Sequence, residues 1–346
     1  MTRGQYTETE IMSQPAVWSI ALEAFGAQRN NFASFWAEAA PEAVIVTGCG
    51  STYYLALTAA RLLRHSGIDA SACPASELLL CSDAICPPGR QYLLLTLSRS
   101  GTTTETLRAQ GQFKSRTGGA VITVTCDSGS PLADSADLAI AIDAAQENSV
   151  AQTRSFSSMT VVVQQMAAHL AGNSLGDSRQ LPAVCRQLLE SHGGLAISLA
   201  EDAAIEKFFF LGMDALYGIA CEAMLKMKEM SRSYSEAYHT LELRHGPMSM
   251  VGEDSLVIGL ISPATANQEI RVLREMAEMG ARLLAIGQSP TELAPEIPLP
   301  ADLPSWCTPI LYLPVLQLLA YHRALFKGCD PDQPQNLSAV ISLEDI

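Results

Sequence analysis

The sequence is poor in basic residues. Its 346 residues include 22 Lys and Arg against 36 Asp and Glu, so the formal net charge is −14 at pH 7. No cluster of Lys or Arg stands out along the chain. Proteins that bind phosphate backbones or anionic membranes concentrate basic residues on one surface. The composition therefore argues against nucleic acid and membrane as partners.

Long hydrophobic runs and paired cysteine motifs are also missing. No apolar run reaches the roughly 18 residues of a membrane span, and the opening "MTRGQYTETE" lacks the apolar core of a signal peptide. The nine cysteines include no Cys-x-x-Cys pair and have no histidine nearby at zinc-ligand spacing. We therefore expect a cytoplasmic protein with reduced cysteines, no metal and no cofactor.

What the sequence does contain is an internal repeat. Two stretches read as an apolar strand, a glycine loop and a helix: 43–63 and 207–227. In each copy a second apolar run follows and ends in serine, and 50 residues separate both Gly48 from Ser98 and Gly212 from Ser262. Strands that alternate with helices predict parallel sheets covered by helices on both faces. The expected fold class is therefore α/β, in two copies.

This pattern divides the chain into four predicted parts. They are a helical arm at 1–40, a first domain at 41–180, a second domain at 195–330 and a tail at 331–346. The arm contains Pro15, which indicates a helix start or break. The stretch from about 155 to 200 also reads as helical, and "GNSLGDS" within it predicts a turn.

One strand-to-helix turn is rich in hydroxyl groups. The segment "LSRSGTTTETL" (97–107) carries six Ser and Thr within nine positions, between an apolar strand and a helical pattern. Parallel sheets bind ligands at such turns, and a helix N-terminus attracts anions through its unpaired N–H groups. The loop "GCGSTYY" (48–54) adds hydroxyls at the neighbouring strand end. The two loops predict a phosphate cradle, and the simpler alternative is a capping box of Thr102 with Glu105.

The predicted cradle suits a phosphorylated small molecule better than a nucleotide. No G-x-x-x-x-G-K-[ST] motif occurs in the sequence. The loop "GCGSTY" also has Tyr53 where the dinucleotide fingerprint requires a third glycine.

A charged stripe and a histidine-containing loop lie in the second copy. Glu222, Lys226 and Glu229 are spaced i, i+4 and i+7 on an otherwise apolar helix, so they share one face. Such a stripe is ordinarily a solvated salt bridge, but one that faces a cleft supplies an acid/base pair. Downstream, "SEAYHTLELRHGPMSM" (235–250) holds His239 and His245. We interpret His239 as structural.

Several of these segments resemble the sugar isomerase (SIS) domain family in its two-domain form. They include "GCGSTY", "SRSGTTTET", "LKMKEMSRSYSEAY", "ELRHGP" and "PVLQLLAYHRALFKGCDPDQPQNL", in the family's order, and the likeness runs from about residue 10 to 340. The nearest branches are glucosamine-6-phosphate synthase and the deaminases built on that fold. The resemblance implies two tandem SIS domains, each a doubly wound, flavodoxin-like α/β/α sandwich, and a sugar phosphate substrate.

The resemblance also implies roles for individual residues. Six of them match the phosphate contacts: Ser51, Thr52, Ser98, Arg99, Ser100 and Thr103. Gln152 and Arg154 match a loop that lines the sugar. Glu229 matches the base that moves a proton between C1 and C2, and Lys226 matches its neighbouring lysine. His245 matches a histidine that opens the sugar ring from the other subunit of a homodimer.

Three features depart from the synthase pattern. Arg99 stands where the synthases usually carry Gln, which adds a charge next to the phosphate. Ala339 stands where they carry a lysine that forms a Schiff base, so a mechanism through that imine is not expected. The sequence also has no glutaminase half in front of the SIS segments, so we expect deamination or plain isomerisation rather than glutamine-dependent synthesis.

The first hypothesis is a glucosamine-6-phosphate deaminase, which forms fructose 6-phosphate and ammonia. The second is a ketose/aldose isomerase or deglycase that acts on tagatose 6-phosphate, galactosamine 6-phosphate or a fructosyl-amine phosphate. The third is a sugar-phosphate sensor without catalysis. Retention of Glu229, Lys226 and His245 together favours an enzyme.

Overall fold

The computed structural model describes residues 3–338, and within them the chain forms two compact units. The first unit comprises residues 14–147 and 154–179, and the second comprises 3–13, 148–153 and 180–337. Each unit contains one five-stranded sheet whose strand pairings are all parallel. The predicted α/β class with a parallel sheet in each copy is confirmed. The predicted domain limits stay predictions, and Ala339 lies outside the described residues.

The first unit holds the sheet that follows the hydroxyl-rich loops. Its strands, in the spatial order β2-β1-β3-β4-β5, are β1 (Ala43–Gly48), β2 (Ala70–Pro74), β3 (Tyr92–Ser98), β4 (Ala120–Thr125) and β5 (Leu138–Ala141). Helix α1 (Gln5–Met12) belongs to the second unit. The helices of the first unit are α2 (Gln14–Ala39), α3 (Ser51–His65), α4 (Ala75–Leu80), α5 (Ser82–Ile85), α6 (Thr104–Thr117), α7 (Pro131–Asp134) and α8 (Arg154–Leu170).

The second unit holds the sheet that carries the charged helix. Its strands are β6 (Lys207–Gly212), β7 (Tyr234–Tyr238), β8 (Ser255–Ile261), β9 (Arg282–Gly287) and β10 (Glu296–Pro298). Besides α1, its helices are α9 (Leu181–Glu201), α10 (Ala215–Ser231), α11 (Ala266–Glu278) and α12 (Pro314–Phe326). The spatial order β7-β6-β8-β9-β10 repeats the order of the first sheet.

The two sheets also share a glycine at the end of their first strands in the sequence, β1 and β6. A Cβ at Gly48 would lie 2.5 Å from the Thr52 hydroxyl oxygen, and one at Gly212 would lie 2.5 Å from the Leu216 carbonyl oxygen. Both glycines therefore let the next helix begin immediately above the strand end. α3 and α10 start three residues after them, at Ser51 and Ala215.

The strands that lead to the candidate site are buried along their whole length. Every residue of β1, β3 and β8 is buried, as expected for parallel strands covered by helices on both faces. Their continuous apolar runs, rather than an alternating pattern, made them recognisable in the sequence. The core of each sheet thus anchors the loops at its carboxyl edge.

The helical arm and the central helical stretch also form as expected. The arm consists of two helices, α1 and α2. Pro15 lies in the first turn of α2, where proline costs no helical hydrogen bond. The "GNSLGDS" turn separates α8 from α9. Within residues 3–338, no helix is both long enough and apolar enough to cross a membrane.

Candidate active site

Two strand-to-helix turns of the first unit lie at the same sheet edge. β1 and β3 are parallel neighbours, so the loops that follow them leave the sheet side by side. α3 begins at Ser51 and α6 at Thr104, and the residues before them, Gly50 and Thr103, provide no side-chain cap. The first turn of α6 therefore presents backbone N–H groups toward this edge, where an anion can pair with them. At α3, the Thr52 and Tyr53 N–H groups bond to the Cys49 and Gly50 carbonyls.

The alternative of a capping box between Thr102 and Glu105 is wrong. The cap position of α6 is Thr103, and no side chain caps the helix there. The Thr102 hydroxyl instead donates to the Ser100 hydroxyl oxygen at 3.0 Å. Helix capping therefore does not account for the hydroxyls of this loop.

The hydroxyl groups form hydrogen bonds within the two loops, and some of them can still donate a hydrogen bond to a ligand. The Ser98 oxygen accepts from the Gly101 N–H at 3.1 Å, and the Ser100 oxygen accepts from the Thr102 N–H at 3.2 Å. A hydroxyl that accepts one bond can still donate its own proton, for example to a phosphate oxygen. The Thr52 hydroxyl differs, because it donates to the Cys49 carbonyl and accepts from the Cys49 N–H, both at 2.9 Å.

Arg99 lies inside the first unit, next to a buried carboxylate. Its Nη1 is 3.7 Å from Glu147 Oε2, and the two side chains are 6% and 0% exposed. Glu147 also accepts hydrogen bonds from the Ser155 N–H and hydroxyl in the first turn of α8. The charge that Arg99 brings to the phosphate loop is therefore compensated by Glu147, which also holds the start of α8.

Gln152 and Arg154 fall into different units despite their closeness in the sequence. Arg154 begins α8 of the first unit, and its guanidinium donates to the Gln146 carbonyl, with a distance of 3.0 Å from Nε. Gln152 belongs to the segment 148–153 of the second unit and is half-buried. The structure therefore does not group these two residues in one unit.

The predicted charged stripe of α10 forms a compact cluster in the second unit. Lys226 Nζ lies 3.3 Å from Glu222 Oε1 and 2.5 Å from Glu229 Oε2. The Lys226 and Glu222 side chains are 1% and 0% exposed, whereas Glu229 is 21% exposed. Burial alone would lower the Lys226 pKa, but Glu222 and Glu229 together raise it above its ordinary value. Lys226 is therefore held as an ammonium, and Glu229 is the member of the cluster that a ligand can reach.

The two histidines of the segment 235–250 have different surroundings. His245 is exposed at the end of a short 3₁₀ turn (Glu242–Arg244) and precedes Gly246, whose φ is 120°. His239 is stacked on the Tyr217 ring, with centroids 3.8 Å apart. His245 is thus available to a ligand or a neighbouring molecule, and His239 is engaged in packing.

In the second unit, a glutamate side chain occupies the turn that corresponds to the hydroxyl loop. Ser262, which matches Ser98 in the repeat, donates its backbone N–H to Glu269 Oε2 at 2.8 Å. Glu269 is fully buried, and this burial raises its pKa to about 7 against the opposing effect of the Ser262 N–H and of the nearby polar groups of Thr265 and Thr240. An internal carboxylate therefore lies at the start of α11.

Sequence reasoning missed the structural roles of three carboxylates in this arrangement. Glu222 was recognised on the charged face of α10 but not as the buried partner of Lys226. Glu147 gave no periodic signal, because its partner Arg99 lies 48 residues earlier. Glu269 had a detectable signal, since a glutamate follows the strand-ending serine by seven residues in both copies.

The described residues contain no group of three or more His, Cys, Asp or Glu side chains that could hold a metal ion. All nine cysteines are free thiols. Hydroxyls, N–H groups and Arg99 can bind an anion, and the carboxylate of Glu229 is chemically able to transfer a proton.

Comparison with known proteins places this arrangement in a family. The sequence model described as "SIS domain" matches residues 39–169 and 203–321. A relative from Pyrobaculum aerophilum named glutamine–fructose-6-phosphate aminotransferase (isomerizing) is 30% identical over 366 residues, which cover 99% of this chain and 59% of the relative. The chain thus spans less than two thirds of the length of that curated relative.

Solved structures agree with the sequence match. Glucosamine-6-phosphate deaminase from Thermotoga maritima superposes with a TM-score of 0.83 at 29% identity, covering 98% of this chain and 100% of that chain. Tagatose-6-phosphate ketose/aldose isomerase from Escherichia coli has a TM-score of 0.86 at 24% identity, with 95% of each chain covered, and shows the fold alone. The chain belongs to the SIS domain family.

Proposed function

We propose that this protein is a sugar-phosphate deaminase that converts glucosamine 6-phosphate to fructose 6-phosphate and ammonia. The observation that carries the proposal is the cluster of Glu222, Lys226 and Glu229, of which only Glu229 reaches solvent to any extent. A carboxylate that is held by an ammonium and open to a ligand suits proton transfer between adjacent carbons. Similarity to the Thermotoga deaminase over that protein's full length supports this choice of substrate.

The substrate phosphate is assigned to the two turns at the carboxyl edge of the first sheet. The assigned donors are the N-termini of α3 and α6 and the side chains of Ser51, Ser98, Arg99, Ser100 and Thr103. The Thr52 hydroxyl donates to the Cys49 carbonyl and is therefore assigned to shaping the loop around the phosphate. The Arg99 charge is shared with Glu147, so the hydroxyls and N–H groups provide much of the recognition. Gln152 and Arg154 are assigned to the sugar.

Glu229 is assigned as the base. It removes the proton from C2 of the open-chain amino sugar and returns it to C1, while the C1 oxygen gains a proton and the amine loses one. The products of this transfer are a C1 alcohol and a C2 imine, and water then converts the imine to the ketone and releases ammonia. Lys226 keeps Glu229 in place and adds positive charge beside the enediol-like intermediate.

The test of this assignment is Glu229→Gln, which removes the base and keeps its shape. We expect turnover to fall by at least about a hundredfold, the usual contribution of a general base. Affinity for glucosamine 6-phosphate, measured by calorimetry, should change by less than about threefold. Glu278→Gln, at an exposed position on α11, is the matched control. Normal binding together with unchanged turnover in Glu229→Gln would mean that Glu229 is not the base.

His245 is assigned to ring opening from the partner subunit of a homodimer. Glu229→Gln and His245→Asn variants are each expected to be inactive. If His245 acts across the interface, re-associating the two variants in equal amounts restores about a quarter of the parental activity, because half of the dimers are mixed and each mixed dimer has one intact site. Activity that stays at the level of the single variants would place His245 and Glu229 in the same subunit's site, or show no dimer.

The same proton transfer on a sugar without an amine is a plain isomerisation. A substrate panel of tagatose 6-phosphate, galactosamine 6-phosphate and a fructosyl-amine phosphate separates the isomerase and deglycase alternatives from deamination. Binding of sugar phosphates without turnover of any of them would favour a sensor.

A further inference from the structure

A cavity lies in the first unit, and none of its lining residues is assigned to phosphate binding or proton transfer. Its volume is about 470 Å³, and its walls come from α2, α8 and the turn after α8, which contains the "GNSLGDS" motif. That size is within the range of small-molecule sites. The apolar part of its wall includes Leu22, Phe25 and Leu175, and Phe25 is fully buried.

The polar wall of this cavity carries two arginines, Arg29 and Arg179. Among the described residues neither arginine forms an ion pair, although the chain has a net charge of −14. Among residues 3–338, no Asp or Glu lines the cavity. Two positive charges therefore meet at one cavity, and the described part of its wall contains no carboxylate.

Arg29 is held in place by a neutral partner. Its Nε donates to His169 Nδ1 at 3.3 Å. His169 is fixed edge-on against Phe25 and Phe32, with ring centroids 6.4 and 5.8 Å away. Burial and the nearby Arg29 charge lower the His169 pKa, so the ring accepts this hydrogen bond in its neutral form. The guanidinium is thus oriented while its charge stays uncompensated.

A buried amide donor adds an independent sign of a ligand. Gln165 lines the cavity and is 3% exposed, and its Nε2 has no hydrogen-bond partner within the described part of the chain. A buried donor without an acceptor destabilises a protein unless something pairs with it. The partner that Gln165 Nε2 lacks is a hydrogen-bond acceptor, and the two arginines lack an anionic partner.

We propose that this cavity binds a small organic anion, a phosphate ester or carboxylate with an apolar group. Its oxygens pair with Arg29, Arg179 and Gln165 Nε2, and its apolar part packs against Leu22 and Phe25. This site is separate from the sugar-phosphate turns, and its occupancy does not depend on the proposed reaction.

The test is a calorimetric titration with phenyl phosphate and with benzoate, in the presence of saturating glucosamine 6-phosphate so that the phosphate turns are occupied. It uses the full-length Glu229→Gln variant, which is expected to bind this sugar phosphate without consuming it. Phenol and inorganic phosphate, which each lack one half of the proposed ligand, should bind at least about tenfold more weakly than the better anion. The relative affinities of phenyl phosphate and benzoate distinguish the two ligand chemistries. The same titration of the parent protein without sugar phosphate should give the same affinity for this cavity, whether or not the proposed function is right.

Variants locate the binding. Arg29→Gln with Arg179→Gln is expected to weaken binding of the better anion by at least about tenfold, since two charge-assisted hydrogen bonds are lost. Gln165→Leu should weaken it severalfold without loss of thermal stability, because it also removes an unpaired donor. Arg186→Gln, an exposed arginine on α9, should leave the affinity unchanged. Absence of binding by the parent protein, or equal affinity in the parent and Gln165→Leu, would overturn the proposal.

Discussion

Lys226→Met tests whether the α10 cluster is a buried charge network with one accessible member. The substitution removes the ammonium from between Glu222 and Glu229 and keeps a side chain of similar length. Glu222 is fully buried and its carboxylate lies 3.3 Å from the Lys226 nitrogen. Without Lys226, this carboxylate loses the cation that compensates its charge.

The expected loss of stability follows from that burial. Removing one partner of a buried ion pair costs about 3–5 kcal/mol, because the other charge stays buried without compensation. Lys226→Met with Glu222→Gln removes both charges, so we expect the double variant to recover at least about 2 kcal/mol of that loss. Both variants should be inactive, since Glu229 loses the group that holds it.

Urea unfolding followed by circular dichroism measures the free energy of unfolding of each variant, and the coupled deaminase assay measures activity on the same samples. Lys228→Met is the matched control, because Lys228 is 43% exposed and pairs with Glu236 at 3.6 Å. An exposed pair of this kind contributes no more than about 1 kcal/mol. If Lys226→Met is as stable as Lys228→Met, or if the double variant recovers nothing, the reasoning on the cluster is wrong.

Two further predictions concern the other buried carboxylates. Because burial raises the folded-state pKa of Glu269 from 4.5 to about 7, the stability it contributes is present below pH 4.5 and falls by about 3 kcal/mol as the pH rises through 7. The stability advantage of Glu269→Gln over the parent should therefore grow by about that amount between pH 4.5 and pH 8 in urea unfolding, and a constant difference would contradict it. Arg99→Gln should destabilise the first unit by about 3 kcal/mol, because Glu147 is left buried without its cation, and should raise KM for the sugar phosphate more than it lowers kcat. Adding Glu147→Gln should restore stability but not KM, and an unchanged KM in both variants would remove Arg99 from the phosphate site.

Much of the fold could be predicted because its signals are local. The strands β1, β3 and β8 are continuous apolar runs, and the equal spacing of Gly48 to Ser98 and Gly212 to Ser262 reflects two sheets with the same strand order. The stripe on α10 was recognisable because helical spacing alone places its members on one face.

The rest depends on contacts between distant parts of the chain. The pairing of Arg99 with Glu147 joins two loops that lie 48 residues apart in the sequence, which no residue spacing encodes. The same holds for the burial of Lys226 and Glu222, since a salt-bridged stripe on a solvated surface has the same sequence pattern. The choice of Thr103 rather than Thr102 as the cap of α6 is a difference of one residue, within the range in which local signals do not separate alternatives.

The most direct test of the central claim is a coupled assay of the purified protein with glucosamine 6-phosphate, in which fructose 6-phosphate and free ammonia are followed together. Galactosamine 6-phosphate is assayed alongside as the C4 epimer. The proposed mechanism predicts that both products appear in equal amounts from the gluco sugar, and that Glu229→Gln abolishes both. Absence of both products from glucosamine 6-phosphate would contradict the deaminase assignment.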